Sequence, residues 1–263
     1  MHIQSLGYRI NLIFPHFDGE VVDKGEYTVI RTPTNPGYFW GNFLLFAHPP
    51  QAGDLDRWQA LFAQEIGTPP TITHLAFGWD SPEGIRGDIA PFLGAGFRLE
   101  EHLIMSAQAV HPPPKWNDAV LIRPIQGDQE WEQALDITLL CFPGDEFGES
   151  YRLFIQREMG RFRKMSESGW GHWFGAFLDN RMVAGLGLYF EHGLGSFELV
   201  GTHPDFQRQG ICGTLVYRAA QRAFEEMGVH TLALAVDIGY HAERIYESVG
   251  FKVVERQVGM EKW

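Results

Sequence analysis

The run Gln207-Arg208-Gln209-Gly210-Ile211-Cys212-Gly213-Thr214-Leu215 follows an apolar, strand-like segment and leads into a helical pattern. The first N–H groups of a helix have no partner within it and lie at the positive end of its dipole, so the chemistry open to such a junction is the holding of an anion. Gly210 and Gly213 carry no side chain that would keep a pyrophosphate from the backbone, and Arg208 or Gln209 can add a contact to its charge. Taken alone, this loop is equally an ordinary strand-to-helix turn.

Other chemistries find little support. The two cysteines, Cys141 and Cys212, form no CxxC pair and have no histidines at metal spacing, so neither a metal site nor a disulfide framework is expected. No Ser-His-Asp or Cys-His arrangement offers a nucleophile and its base. A formal charge of −12 argues against a sequence-independent grip on nucleic acid, which needs a basic face. No apolar run approaches the roughly 18 residues of a membrane span, and the N-terminal stretch has no signal-like apolar region, so a cytoplasmic location is expected.

The elements that must position the loop follow from periodicity and punctuation. His111-Pro112-Pro113-Pro114-Lys115 cannot continue a helix or supply a run of ladder donors, which makes 112–116 a Pro-rich linker between a domain at 1–111 and another at 117–263. Beyond it the order reads β-α-α-β-β-β-α-β-α-β: a strand at 119–124, helices over about 128–140 and 151–167, a hairpin of 172–178 with 182–190, and a strand at 196–202. After the Gly loop come a helix with Val216, Ala219, Ala220 and Ala223 on one side, a buried strand at 231–236, a short helix with Ala242, Ile245 and Tyr246, and a last strand from Lys252. A mixed α/β sheet results, antiparallel early and parallel around the Gly loop.

With the loop set in this order, residues 117–263 resemble the GNAT superfamily of N-acyltransferases. The family's Gln/Arg-x-x-Gly-x-Gly/Ala signature is met by Gln207-x-x-Gly210-x-Cys212, with cysteine at the last small position. Thr202-His203-Pro204 leads in, and Ala242-x-x-Ile245-Tyr246-x-x-x-Gly250-Phe251 is similar to the family's final helix and strand. The polar residue that commonly precedes that alanine is not matched at Gly239-Tyr240.

The resemblance implies acetyl-CoA as cosubstrate, no metal, and direct attack of a primary amine of a small molecule or peptide on the thioester. One active site per chain is expected, since the N-terminal half has no such loop, in a monomer or homodimer; the acidic charge and the lack of a long apolar run point to no nucleic-acid or membrane partner. Backbone of Val200, Gly201 and Thr202 would pair with the pantetheine arm, and Gln207, Arg208, Gln209, Gly210, Ile211, Cys212, Gly213 and Thr214 would cradle the phosphates. Tyr246 would protonate the leaving thiolate, against its plain reading as a core tyrosine. Glu198 shares strand parity with Val200 and Thr202 and so would face the acceptor as a base, against its plain reading as a surface carboxylate. His203 and His172 stand in reserve as bases, and Asp145 and Glu146 sit in a loop where the family shapes its acceptor site. The alternative function is a noncatalytic acyl-CoA-binding sensor or scaffold.

The N-terminal half reads as a degenerate copy of the same plan. Gly96-Phe97-Arg98-Leu99-Glu100-Glu101 parallels Gly250-Phe251-Lys252-Val253-Val254-Glu255, and His74–Asp80 parallels Thr231–Asp237. It has no Gln-x-x-Gly loop. The expected fold class is therefore two tandem GNAT-like domains, the first without a cofactor site.

Overall fold

The computed structural model describes residues 1–144, 148–239 and 242–263; Asp145, Glu146 and Tyr240, named above, lie outside these. The chain divides into two compact units, one of residues 1–104 with 254–263 and the other of 105–253. The division differs from a cut at the Pro-rich segment. Residues 105–116 go with the second unit, and the C-terminal ten go with the first.

In the first unit the chain runs α1 (Leu6–Asp18), β1 (Glu20–Asp23), β2 (Tyr27–Arg31), β3 (Phe43–Phe46), α2 (Asp54–Glu65), β4 (Leu75–Trp79), α3 (Ala90–Gly94) and β5 (Arg98–Ala107). β1, β2 and β3 form an antiparallel meander, and β3 then pairs in parallel with β4 across the α2 crossover. The last strand, β11 (Lys252–Lys262), lies antiparallel to β4, with Gly259 opposite Gly78 and Met260 opposite Phe77. The core is aromatic: Phe46 stacks on Trp58 at 3.7 Å between ring centroids, and Phe62, Phe77, Phe92 and Phe97 close round them. α1 is held at its start by two carboxylates, Asp80 accepting from the Gln4 and Ser5 N–H groups and Glu255 from that of Leu6. They satisfy donors that a helix start leaves open.

The second unit runs β6 (Leu121–Pro124), α4 (Gly127–Cys141), α5 (Glu149–Glu167), β7 (Gly171–Leu178), β8 (Arg181–Glu191), β9 (Leu194–Thr202), α6 (Ile211–Glu226), β10 (Thr231–Asp237) and α7 (Glu243–Glu247), then enters β11. This is the element order read from the sequence. β6 to β9 form an antiparallel meander, and β9 pairs in parallel with β10 across the α6 crossover. The apolar face of α6 buries Leu215, Val216, Ala219, Ala220 and Ala223 against the sheet, where Met105 and Ala107 of β5 join the same core. Trp173 and Phe174 are also buried side chains.

The two halves share a syntax. β3-α2-β4-α3-β5 in one and β9-α6-β10-α7-β11 in the other each place a parallel strand pair round a crossover helix, then a five-residue helix, Gly-Phe, and a long strand. The Gly-Phe pairs at 96–97 and 250–251 occupy corresponding places, which is what the sequence self-similarity pointed to.

Candidate functional site

β9 and β10 are bonded over only three residue pairs, Thr231 with Leu194, Leu232 with Gly195 and Ala233 with Ser196. β9 then continues to Thr202 and β10 to Asp237. Beyond Ser196 the two strands do not pair at any described residue, which leaves the backbone of β9 from Glu198 to Gly201 without a strand partner on the β10 side. An open cleft of about 340 Å³ begins beside this stretch, lined by Val200 and Thr202, by Gln207, Arg208, Gly210, Ile211, Cys212 and Gly213, by Tyr246 of α7, and by Pro113 to Lys115.

The loop between β9 and α6 is braced by its own side chains. The Gln207 amide donates to the Thr202 carbonyl at 3.3 Å and the Gln209 amide to that of Asp205 at 3.2 Å. Arg208 and Gly210 both take positive φ, +58° and +82°, and the latter is the residue that turns the chain into α6. Thr214 points inward, its hydroxyl donating to the Gly210 carbonyl at 2.9 Å. Gly201 faces α4, where an added Cβ would lie 3.0 Å from the Cys141 sulfur. Gly201, Gln209 and Thr214 are thus outside the lining that the other predicted cofactor residues share.

The charge of the cleft is distinctive in a chain of net −12. Its described lining includes two charged side chains, Lys115 and Arg208, both cationic, and no carboxylate. Burial pushes the Cys212 thiol up to about 11, which keeps it protonated and unsuited to nucleophilic attack. Tyr246 is 5% exposed, with its ring edge-on to Phe251 at 6.0 Å.

Glu198 does not share a face with Val200 and Thr202. Leu199 adopts φ +46°, and the pairing of β8 with β9 slips between Gly185 and Gly187, so the strand carries a bulge at this point. One extra residue reverses the alternation, and the parity argument from sequence fails there. Glu198 instead lies on the α5 side, accepting from the Ser196 hydroxyl at 2.6 Å. Close to it are Glu158 and Arg161, an ion pair whose side chains are 6% and 4% exposed. Burial raises the Glu198 carboxyl to about 7, opposed by the Ser196 hydrogen bond and Arg161 and assisted by Glu158. The Glu158–Arg161 pair has the i, i+3 spacing of a helical ion pair, but no sequence signal tied it to β9.

The histidines are elsewhere. His203 caps the short turn after β9, its Nδ1 accepting from the Asp205 N–H, and His172 is half-buried with burial lowering its pKa and Arg222 adding to the effect. Among the described residues, no group of His, Cys, Asp and Glu has the arrangement of a metal site and no helix is long and apolar enough to cross a membrane.

A parallel strand pair that parts over a Gly-opened helix, backed by an antiparallel meander, defines a GNAT-type fold. Residues 131–251 match the model of the acetyltransferase (GNAT) family. Among solved structures, a GCN5-related N-acetyltransferase from Kribbella flavida is 16% identical, with 98% of this chain and 96% of that one covered at a TM-score of 0.66. One from Sphaerobacter thermophilus is 16% identical, covering 97% and 90% at 0.58. A tandem GNAT protein from the clavulanic acid biosynthesis pathway is 13% identical, covering 78% and 67% at 0.52. These likenesses extend the shared fold over nearly the whole chain. No curated protein matches by sequence.

Proposed function

We propose that this protein is an N-acetyltransferase that moves the acetyl group of acetyl-CoA to a primary amine of a small molecule or peptide. The observation that carries the reading is the cleft: backbone donors at the start of α6, strand edges released where β9 leaves β10, and cationic side chains only in a strongly acidic chain. An extended anionic cosubstrate with an amide-bearing arm suits all three.

In this reading the N–H groups from Arg208 to Gly213 hold the pyrophosphate, and the backbone of Val200 to Thr202 takes the arm as β10 would have taken a strand. The acceptor amine attacks the acyl carbonyl; a C–N bond forms and the C–S bond breaks. Tyr246, in the cleft wall, gives a proton to the departing sulfur. Glu198, at the point where the strands part, removes the proton of an amine that arrives from the α5 side. Its pKa near 7 suits a base that must be ionised yet basic at neutral pH.

Calorimetric titration of the full chain with acetyl-CoA, followed by thioester turnover with a panel of primary amines, tests the reading. Saturable binding near one per chain and amine-dependent release of thiol are expected. Failure of the folded protein to bind acetyl-CoA would overturn the proposal, whereas binding with no turnover on any amine would favour the sensor or scaffold.

A further inference from the structure

The Pro-rich segment, which the sequence presents as a connector, lies on the phosphate loop of its own unit. Pro113 is buried, and a Cβ added to Gly213 would lie 3.1 Å from the Pro113 Cβ. One added to Gly210 would lie 2.6 Å from the Lys115 carbonyl oxygen. The two glycines therefore make room for this segment, in addition to any ligand. Asn117 fastens it: its N–H donates to the Thr214 hydroxyl at 3.0 Å and its side-chain amide to the Gln209 carbonyl at 2.9 Å. Trp116 packs edge-on to Tyr217 at 5.7 Å, with the Arg218 guanidinium 4.9 Å from its ring centre, so the attachment continues along the first turns of α6.

Lys115 is carried by this strap to the loop, where its ammonium donates to the Arg208 carbonyl. An ammonium has three donors, which leaves capacity for an anion in the cleft that Lys115 also lines. With Arg208 it brackets the loop, one cation coming from the loop itself and the other from a segment some 93 residues earlier in the sequence.

We infer that the strap Pro113–Asn117 is an integral part of the cofactor site, and that Lys115 is a phosphate-binding residue held in place by Asn117. The inference rests on the acyl-CoA reading of the cleft and adds to it a residue outside the family-matched segment 131–251. A fixed cation on a phosphate differs from a solvated surface lysine in that its loss changes both affinity and the dependence of affinity on salt.

The test is calorimetric titration of the full chain with CoA at low and at moderate salt. Lys115 is exposed, so its replacement leaves the fold intact. Lys115→Met is expected to weaken binding about tenfold at low salt, the scale of one charge-assisted hydrogen bond, and to flatten the salt dependence, while Lys115→Arg retains both. Asn117→Ala, which keeps the charge but loosens its support, is expected to weaken binding while preserving the salt dependence. If the native chain binds CoA and Lys115→Met binds it equally well with the same salt response, the strap inference is wrong and the acyl-CoA reading survives. If the native chain binds no CoA, both fall.

Discussion

Glu198 is where structure and proposed chemistry meet most directly, because its two roles pull stability and activity in opposite directions. The carboxyl titrates near 7 in the fold against 4.5 as an ordinary glutamate, so between those values the folded chain holds the proton more tightly. Stability contributed by this group therefore falls as pH rises through that window, by an amount on the order of 3 kcal/mol for a shift of this size. Glu198→Gln removes the ionisable group while keeping its shape. The variant is expected to melt several degrees above the native chain at pH 8 and to approach it at pH 4, in thermal scans at both values. Glu261, also raised to about 7 by burial, titrates in the first unit over the same range, so the difference between the two chains isolates Glu198. Activity should move the other way. Native turnover is expected to rise with pH to a plateau above about 7 as the base ionises, and Glu198→Gln to lose that limb along with at least tenfold in rate. A pH profile unchanged by the substitution would remove the base role. Tyr246→Phe, by contrast, is expected to lower turnover about a hundredfold with acetyl-CoA affinity held within a fewfold, in parallel kinetic and binding measurements.

At the scale of elements, the loop that opens α6 depends on Gly210 for two separate reasons, its φ of +82° and the Lys115 carbonyl 2.6 Å from where a Cβ would stand. Gly210→Ala is expected to destabilise the protein by roughly 2 kcal/mol in denaturant titration and to weaken CoA binding by displacing the strap. Gly213→Ala, with helical backbone and a 3.1 Å neighbour that can shift, should cost less. The first reason was legible in the sequence, because a glycine between a strand and a helix announces an unusual backbone. The second was not, since proline and glycine patterns reveal where a chain turns but not what it then lies against. The same distinction runs through the unit. Every strand and helix of 117–263 was readable, with boundaries shifted by a residue or two, because each has a clear apolar period and a turn at its ends. Glu198 was assigned to the wrong face because parity was counted straight through the bulge: the adjacent apolar residues Leu199 and Val200 break the alternation, but a strand covered on both faces reads the same way, and it is the positive φ of Leu199 that resets the count. Arg161 and Glu158 were missed because their significance lies in a tertiary neighbour, not in their own spacing.

For the molecule as a whole, the compact units are not the ones that the proline run would delimit. A fragment of residues 117–263 would contain the family signature and the complete order of elements, yet it would lose Met105 and Ala107 from the core beside α6, and Pro113 and Lys115 from the cleft. It would also carry Val258 and Met260, buried in the first unit's core, and the stretch from Gly259 to Lys262 that is bonded to β4, with nothing to cover or pair them. An apolar strand left without its partner is an aggregation site, and removing several buried side chains costs a few kcal/mol of a domain's small net stability. The expectation is that 117–263 shows no cooperative thermal transition and poor amide dispersion, whereas 105–253, which matches the compact unit, melts cooperatively. Circular dichroism and a two-dimensional amide spectrum of the two fragments would decide it. A cooperative transition in 117–263 would show that residues 105–116 are dispensable for folding, and would leave the strap to be judged on binding alone. Its absence, together with folding of 105–253, would mean that each half of this sequence completes its fold with chain from the other side of the proline run, a dependence that the order of motifs along the sequence does not reveal.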